Sequence, residues 1–289
     1  MCKSIMKLLP KTAKIKSGKI LVNGADITDY TEKNMSRLRG ELFSMVFQDP
    51  MTSLNPTITV GKQIGEAVRI HNKKMSRGQI RKRVIELMQL VEIDRPEERI
   101  RQYPHEFSGG MRQRAVMAIA LAGDPKILFA DEPTTALDVT IQAQILDVFR
   151  RIQKKMEMAT VFISHDLGVV AGVADRVAVM YAGKIVEIGT AEEIFYDPRH
   201  TYTWGLLQSL PILAGEKEWL PTLPGMPPTL IHPPKGDAFA ERNVYAMRID
   251  YEKEPPMFRI TDTHYAATWL LDERAPKVKV PIGGRRYGK

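Results

Sequence analysis

The sequence contains a single cysteine, Cys2, among its 289 residues. One thiol excludes an internal disulfide framework and any metal site built from several cysteines. Aromatic residues are scarce at 7%, and the chain has no apolar run of about 18 residues, the length needed to cross a bilayer. The first ten residues are too short and too interrupted by lysine for a secretory signal. These absences favour a cytoplasmic protein.

The composition is that of a globular protein with an excess of basic over acidic residues. Hydrophobic residues make up 44% of the chain, and 42 lysines and arginines outnumber 34 aspartates and glutamates, so the formal charge is +8. Such a surplus is compatible with nucleic acid, an anionic membrane surface or a phosphorylated ligand as partner. Much of it lies in a cluster at 73–83 and a tail at 274–289. Runs of this kind are most often solvated surface.

Strand-like and helix-like segments alternate, which predicts an α/β fold. The predicted strands are 19–23, 42–47, 127–130, 160–164, 176–181 and 184–188, and the clearest helices are 77–91, 111–122 and 138–156. Ala182-Gly183 predicts a hairpin turn between the last two strands. Prolines crowd 211–234, which indicates a linker or an extended segment before a small module at 235–289.

Two adjacent acids, Asp131 and Glu132, follow the apolar run 127–130. Neighbouring strand residues point to opposite faces, so the two acids cannot share one role. At the carboxyl end of a buried strand, one acid can hold Mg²⁺ and the other can orient or deprotonate a water aimed at phosphorus. The alternative for this dipeptide alone is an ordinary acidic strand end.

Three further polar motifs lie at predicted strand ends or helix starts. Ser108-Gly109-Gly110 opens a helix, where free amides and the helix dipole form an anion site. The alternative there is a plain serine-capped helix. Gln48 and His165 each follow a predicted strand, and singly each is typical of a solvated or structural residue.

In this order along the chain, the motifs resemble those of the ATP-binding-cassette (ABC) ATPases. The resemblance identifies Gln48 with the Q-loop, Ser108, Gly109 and Gly110 with the signature motif, Asp131 with the Walker B strand, Glu132 with the catalytic glutamate, Asp138 with the D-loop and His165 with the switch histidine. It implies ATP and Mg²⁺ as cofactors, with Asp131 and Gln48 near the metal. It further implies that Glu132, His165 and Gln48 act on the γ-phosphate and its attacking water.

Segments 46–64 and 189–211 resemble, more narrowly, the ATP-binding subunits of oligopeptide and dipeptide permeases. The resemblance implies an energy-coupling subunit of a peptide importer, bound peripherally at the cytoplasmic face of the plasma membrane. Its implied partners are a second ABC ATPase subunit, transmembrane permease subunits and, indirectly, an extracytoplasmic peptide-binding protein, without nucleic acid. The implied fold is a P-loop NTPase-like ABC ATPase core over 1–198, with an inserted helical subdomain at about 55–125, and a C-terminal extension over 199–289.

The sequence departs from the family pattern first at its start. No GxxxxGK[ST] P-loop occurs, and KSIMKLLP resembles the helix that follows the P-loop in the family. We therefore expect an N-terminally truncated cassette that lacks the opening strands and the P-loop. Because the lysine and amides of that loop dominate phosphate binding, we expect this chain alone to bind ATP poorly and to be nearly inactive.

The second departure lies in the extension. Many peptide-permease ATPases carry four cysteines there that suit an iron–sulfur site, and the resemblance implies that their places here are taken by Asp237, Asn243, Asp250 and Thr268. Without thiolates at these positions, we predict no iron–sulfur cluster. Two other functions remain open: a non-catalytic half of a heterodimeric ABC ATPase, and a soluble ABC protein acting on nucleic acid, which salt-dependent retention on DNA or RNA would favour.

Overall fold

The chain divides into two units, unit 1 (Met1–His165) and unit 2 (Asp166–Lys289). The computed structural model describes residues 1–48, 50–135, 137–210 and 222–281. The predicted domain limits, 1–198 and 199–289, stay predictions.

Three apolar runs of unit 1 form parallel strands of one sheet: β3 (Phe43–Val46), β4 (Ile127–Asp131) and β5 (Ala159–Ile163), in that order. Phe43 pairs with Ile127, which pairs with Ala159, so the strands are aligned and their carboxyl ends meet at one edge. Leu128 and Phe129 lie in two different cores, which shows that β4 is covered on both faces. The three predicted strands are confirmed within one or two residues at each end.

The helices in the described part of unit 1 are α1 (Cys2–Ile5), α2 (Glu32–Glu41, broken at Arg39 and Gly40), α3 (Pro50–Ser53), α4 (Val60–His71), α5 (Arg77–Leu90), α6 (Pro96–Arg99), α7 (Gly109–Ala120) and α8 (Val139–Met156). Five of these, α3 to α7, lie between β3 and β4. α7 packs against α3, α4 and α5. Buried Ile64, Leu87 and Met117 contribute to their shared core. The three predicted helices are confirmed with small shifts of their ends.

A short hairpin near the start corrects one predicted strand. The run 19–23 was expected to be a strand, but only β1 (Leu21–Val22) forms, paired with β2 (Ala25–Asp26). Asn23 and Gly24 both have positive φ, 50° and 81°, as a two-residue hairpin turn requires. The Asn-Gly pair therefore ends the strand and reverses the chain.

Unit 2 contains one antiparallel sheet, formed by β6 (Arg176–Tyr181), β7 (Lys184–Thr190), β8 (Phe258–Arg259) and β9 (Tyr265–Ala266) in the order β6-β7-β9-β8. The helices in its described residues are α9 (Leu167–Val173), α10 (Ala191–Tyr196), α11 (Thr201–Gln208) and α12 (Arg248–Glu252). The Ala182-Gly183 hairpin is confirmed, with φ of 48° and 81°. Buried Phe239 packs with Val177 and Ile194 in the core.

The proline-rich run 211–234 is described only from residue 222 onward, and residues 222–234 contain neither helix nor strand. The predicted basic tail is described as far as residue 281. Within the residues that the structure describes, no helix is both long and apolar enough to span a membrane.

Candidate functional site

The acids at the end of β4 occupy different backbone conformations. Asp131 is the last residue of the strand, half-buried. Glu132 has φ +47°, in the left-handed region that few non-glycine residues adopt, and its amide donates to the Ile163 carbonyl of β5 (3.0 Å). The expectation that both acids lie on the strand is therefore wrong for Glu132, because the chain turns there. The turn aims its carboxylate along the edge where the strands end.

The Glu132 carboxylate brings three polar side chains together. Gln48 Nε2 and Thr135 Oγ1 both donate to Oε2, each at 2.9 Å. His165 Nδ1 lies 3.0 Å from Oε1. Gln48 follows β3 and His165 follows β5, so the parallel alignment of the strands places them on either side of β4. The structure thus joins Gln48, Glu132 and His165, as the motif order predicts.

These hydrogen bonds hold the pKa of Glu132 below its ordinary value. The contact with His165 is the largest cause and the hydroxyl of Thr135 the next, while burial opposes them. The carboxylate is therefore ionised at neutral pH, and Nδ1 of His165 must carry the proton it shares with Oε1. An ionised carboxylate that is still 23% exposed can accept a hydrogen bond from a water and orient it. The sequence did not predict Thr135 as a donor to Glu132. Its position three residues after Glu132 was the only signal that could have indicated this contact.

Asp131 and Gln48 offer the oxygens that a small hard cation needs. Gln48 uses its amide nitrogen on Glu132, which leaves its amide oxygen available. Carboxylate and amide oxygens suit Mg²⁺, which takes one or two protein ligands and fills its shell with water and phosphate oxygens. Among the described residues, no group of three or more His, Cys, Asp and Glu side chains could hold a metal. The oxygens of Asp131 and Gln48 are of the chemical type that Mg²⁺ prefers.

A second group of predicted residues lies where α7 meets α8. Ser108 caps α7, with Oγ accepting from the Met111 amide (3.3 Å), and Asp138 caps α8 by accepting from the Ile141 amide (2.9 Å). The predicted helix start at Ser108-Gly109-Gly110 is confirmed. A Cβ on Gly110 would lie 2.7 Å from Ile141 Cγ2, so α7 and α8 touch at this glycine. Ser108 and Gly109 remain exposed.

Asp237, Asn243, Asp250 and Thr268 serve as local hydrogen-bond acceptors in unit 2. Asp237 Oδ1 accepts from the Phe239 amide (3.0 Å) and Asn243 Oδ1 from the Tyr245 amide (3.0 Å). Asp250 Oδ2 accepts from the Met247 amide (2.7 Å) and Thr268 Oγ1 from the Leu270 amide (3.3 Å). Each buried side chain thereby fixes a turn. The absence of an iron–sulfur cluster stays a prediction.

Similarity to known sequences covers both units. Residues 2–135 match the ABC transporter family, and residues 186–249 match the oligopeptide/dipeptide transporter C-terminal region. The oligopeptide transport ATP-binding protein OppD of Bacillus subtilis is 60% identical over 281 residues, which are 96% of this chain and 78% of that protein. The dipeptide transport ATP-binding protein DppD of Lactococcus lactis is 58% identical over 276 residues, 96% of this chain and 79% of that protein.

Similarity to solved structures concerns the fold. CbiO1 of Clostridium perfringens, part of the ABC transporter complex CbiONQ, matches with a TM-score of 0.59 and 29% identity over 67% of this chain and 72% of that one. A dimeric, post-hydrolysis ATP-binding cassette bound to ADP and Pi matches with a TM-score of 0.56 and 23% identity over 66% of this chain and 80% of that one. The fold is therefore the α/β core of an ABC ATPase, and the chain belongs to the ABC transporter ATP-binding proteins of the oligopeptide/dipeptide family.

Proposed function

We propose that this chain is the ATP-binding, energy-coupling subunit of an ABC importer for oligopeptides or dipeptides. The observation that carries the proposal is the Glu132 carboxylate, bonded to Gln48 and His165 where three parallel strands end. The names of the relatives supply the substrate class, since they are described as oligopeptide and dipeptide transport proteins.

In the proposed reaction, Glu132 accepts a hydrogen bond from the attacking water and polarises it toward the γ-phosphate. His165 fixes Glu132 through Nδ1, and its 74% exposed ring presents Nε2 toward the ligand side. Asp131 and Gln48 would hold Mg²⁺, which neutralises phosphate charge when bound. Gln48 lies between β3 and the helices that follow it, so it links the reacting end of the site to those helices.

A dimer of ATPase subunits completes the proposed site. The 289 residues contain no P-loop motif, so we propose that the chain alone binds ATP poorly. The exposed start of α7, with Ser108 and Gly109, would instead contact nucleotide held by a second ABC ATPase subunit. Asp138, which caps the neighbouring helix α8, would communicate between the two subunits.

The transmembrane permease subunits would dock in a groove of about 820 Å³ within unit 1. It lies between α2 and the α4–α5 connection, next to the helices that follow Gln48, and its lining includes Lys33, Arg37, Ile70 and His71. Ile70 is 60% exposed there, an apolar contact point for an incoming segment. Docking of this kind gives a peripheral position at the cytoplasmic face of the plasma membrane, with the peptide-binding protein contacted only through the permease.

The experiment is reconstitution of the chain with its partner ATPase and permease subunits in proteoliposomes. We expect ATP-dependent peptide uptake and phosphate release, both reduced by about 100-fold or more in Glu132→Gln. The matched control, Glu97→Gln, changes an exposed carboxylate on α6 and is expected to leave both rates unchanged. Normal uptake in Glu132→Gln would contradict the role of this carboxylate.

A binding measurement on the isolated chain tests the nucleotide claim separately. We expect weak ATP binding by the chain alone and stronger binding by the assembled subunits. Equal affinity in the two preparations would show that these residues hold the nucleotide without a P-loop. Salt-sensitive retention on nucleic acid, without peptide uptake, would favour the alternative function.

A further inference from the structure

A loop of unit 1 carries a high density of lysine. The first 25 residues contain six lysines and no aspartate, glutamate or arginine. Four of the six lie in the lysine loop (residues 10–19), between α1 and β1: Lys11, Lys14, Lys16 and Lys19. The loop contains neither helix nor strand, and each of its residues is exposed. It therefore presents four positive charges to the solvent.

The two ends of the lysine loop are fixed to one core. Before the loop, Cys2 and Met6 are buried, and after it Ile20 packs against the same core. The Ile20 amide donates to Thr28 Oγ1 (2.8 Å), and the Ile20 carbonyl accepts from the Ile27 amide (2.8 Å). The loop therefore projects from a fixed base, and its lysines stay together on one part of the surface.

Few opposite charges neutralise the lysine loop. Among the described residues, none of its four lysines forms a salt bridge or a side-chain hydrogen bond. The first acids of the chain are Asp26 and Asp29, so the side chains of residues 1–30 carry six positive and two negative charges, a net +4. Hydrogen bonds from Thr28 are the main cause of the lowered pKa of Asp26, and the charge of Lys19 contributes. The other three lysines keep their charge available to a partner.

The residue types of the lysine loop favour a diffuse negative surface as that partner. Arginine, which binds single phosphates bidentately, is absent from the loop, and the first aromatic residue of the chain is Tyr30. Proteins bind single-stranded nucleic acid by aromatic stacking together with positive charge, so the loop lacks the aromatic half of such a site. Two aliphatic side chains are exposed instead. Ile15, which separates two lysines, is 37% exposed, and Leu21 is 62% exposed.

We propose that the lysine loop binds the headgroups of an anionic phospholipid bilayer, with Ile15 and Leu21 entering the interface. Lysines close to an anionic bilayer each strengthen binding about fivefold, and the attraction fades within a screening length of about 8 Å. An exposed loop without helix or strand can lie along a flat surface, so several lysines reach the headgroups together. The proposed permease docking attaches the chain through protein, whereas the lysine loop attaches it directly to lipid. This contact requires neither nucleotide nor Glu132, so it is tested separately from the transport function.

Vesicle sedimentation of the full chain tests the attraction to lipid. The vesicles are either pure phosphatidylcholine or phosphatidylcholine with about 30% phosphatidylglycerol. We expect binding to the anionic vesicles at least about tenfold tighter than to the neutral ones, and loss of this difference at about 0.5 M salt. Equal binding to the two kinds of vesicle would overturn the proposal.

Removal of two lysine charges locates the contact. Lys14→Gln with Lys16→Gln is expected to weaken binding to the anionic vesicles by about tenfold or more. The matched control is Lys277→Gln with Lys279→Gln, which removes equal charge from another exposed pair of lysines that flank one aliphatic residue outside any helix or strand. We expect the control to change the affinity by less than about twofold. All four side chains are exposed, so circular dichroism is expected to show unchanged folding. An equal loss in the control would mean a response to net charge alone and would overturn the assignment.

A fluorescent label reports whether the lysine loop itself reaches the bilayer. An environment-sensitive dye is attached at Ile15→Cys, since Cys2, the only thiol of the wild type, is 3% exposed and is not expected to react. We expect a blue-shifted emission on addition of anionic vesicles, and no shift for the same dye at Val278→Cys. An unshifted dye at residue 15 in a chain that sediments with these vesicles would place the contact elsewhere. Retention on DNA or RNA that requires Lys14 and Lys16, without sedimentation with anionic vesicles, would assign the loop to nucleic acid instead.

Discussion

At the scale of single residues, Gly110 determines how closely α7 approaches α8. A Cβ at this position would lie 2.7 Å from Ile141 Cγ2, nearer than carbon atoms approach in folded proteins. One residue earlier, a Cβ on Gly109 would meet Leu137 Cδ2 at an ordinary 3.5 Å. An added methyl group is therefore expected to lower the stability of the protein at Gly110 but to be accommodated at Gly109.

Gly110→Ala is accordingly expected to destabilise unit 1 by about 1–3 kcal/mol through overpacking. Ile141→Leu removes the Cβ branch that causes the collision, so adding it to Gly110→Ala is expected to restore part of the loss. Thermal unfolding of the wild type, both single variants and the double variant measures this coupling. Gly109→Ala is the control, with no comparable loss expected. Strict additivity of the two changes would contradict the contact.

Two buried titratable residues of unit 2 depart from their ordinary pKa values in opposite directions. Burial raises the pKa of Asp237 to about 6, reinforced by the charges of Asp250 and Glu254. Burial lowers the pKa of His200 to about 4, although the charge of Glu187 opposes that shift. Between pH 4 and 6 the folded state binds a proton at Asp237 that the unfolded state releases. At His200 the unfolded state binds the proton instead.

The two residues therefore change the free energy of unfolding in opposite directions with pH. Asp237 lowers the free energy of unfolding increasingly as pH rises from 4 to 6, whereas His200 lowers it increasingly as pH falls from 6.5 to 4. Asp237→Asn keeps an oxygen for the Phe239 amide and removes the first contribution. We expect a higher free energy of unfolding above pH 6 and a steeper decline on acidification, measured by urea unfolding from pH 4.5 to 8. A constant difference from the wild type at every pH would contradict this assignment.

At the scale of elements, the strands that position the site were predictable because their signals are local. Apolar runs at β3, β4 and β5 are long enough to show burial on both faces, and parallel strands bring their carboxyl ends together. The two-residue strands β8 and β9 are too short for any alternation to appear, and only pairing defines them. The alternation of apolar and polar residues therefore could not predict β8 and β9, because these strands are defined only by their contacts with other strands.

The same limit applies to the candidate site. Residue type and chain order indicated Gln48, Glu132 and His165, because each follows a strand. The left-handed turn at Glu132 depends on its bond to Ile163 of the neighbouring strand, which no local pattern encodes. The bond from Thr135 exists only once that turn has formed.

At the scale of the whole chain, Glu187 ties β7 to residues that follow it much later. Its carboxylate accepts from the amides of Arg199 (2.5 Å) and His200 (3.1 Å) and lies 2.8 Å from His264 Nε2. Glu187 and His264 are both 0% exposed. β9 also pairs with β7 through Glu187 and Ile188. β7, which precedes the predicted domain limit at 198, thus depends for its contacts on residues that follow that limit.

A chain ended at residue 198 is therefore expected to lose the fold of unit 2. Removal of 199–289 would leave a buried carboxylate without these partners and an unpaired edge on β7, which favours aggregation. Limited proteolysis and size-exclusion chromatography measure the result, with a chain ended at 281 as the control that keeps every described residue. A monomeric 1–198 product with β6 and β7 protected would contradict this dependence.

The left-handed backbone at Glu132 also has a genetic consequence. Glycine adopts such a conformation without strain, so Glu132→Gly removes the proposed water-orienting carboxylate while relieving the backbone. Alleles of this kind would yield a folded subunit that competes with the normal subunit for its place in the proposed transporter. In cells that also express the normal gene, such alleles are expected to be dominant over it, whereas alleles that unfold the chain would be recessive.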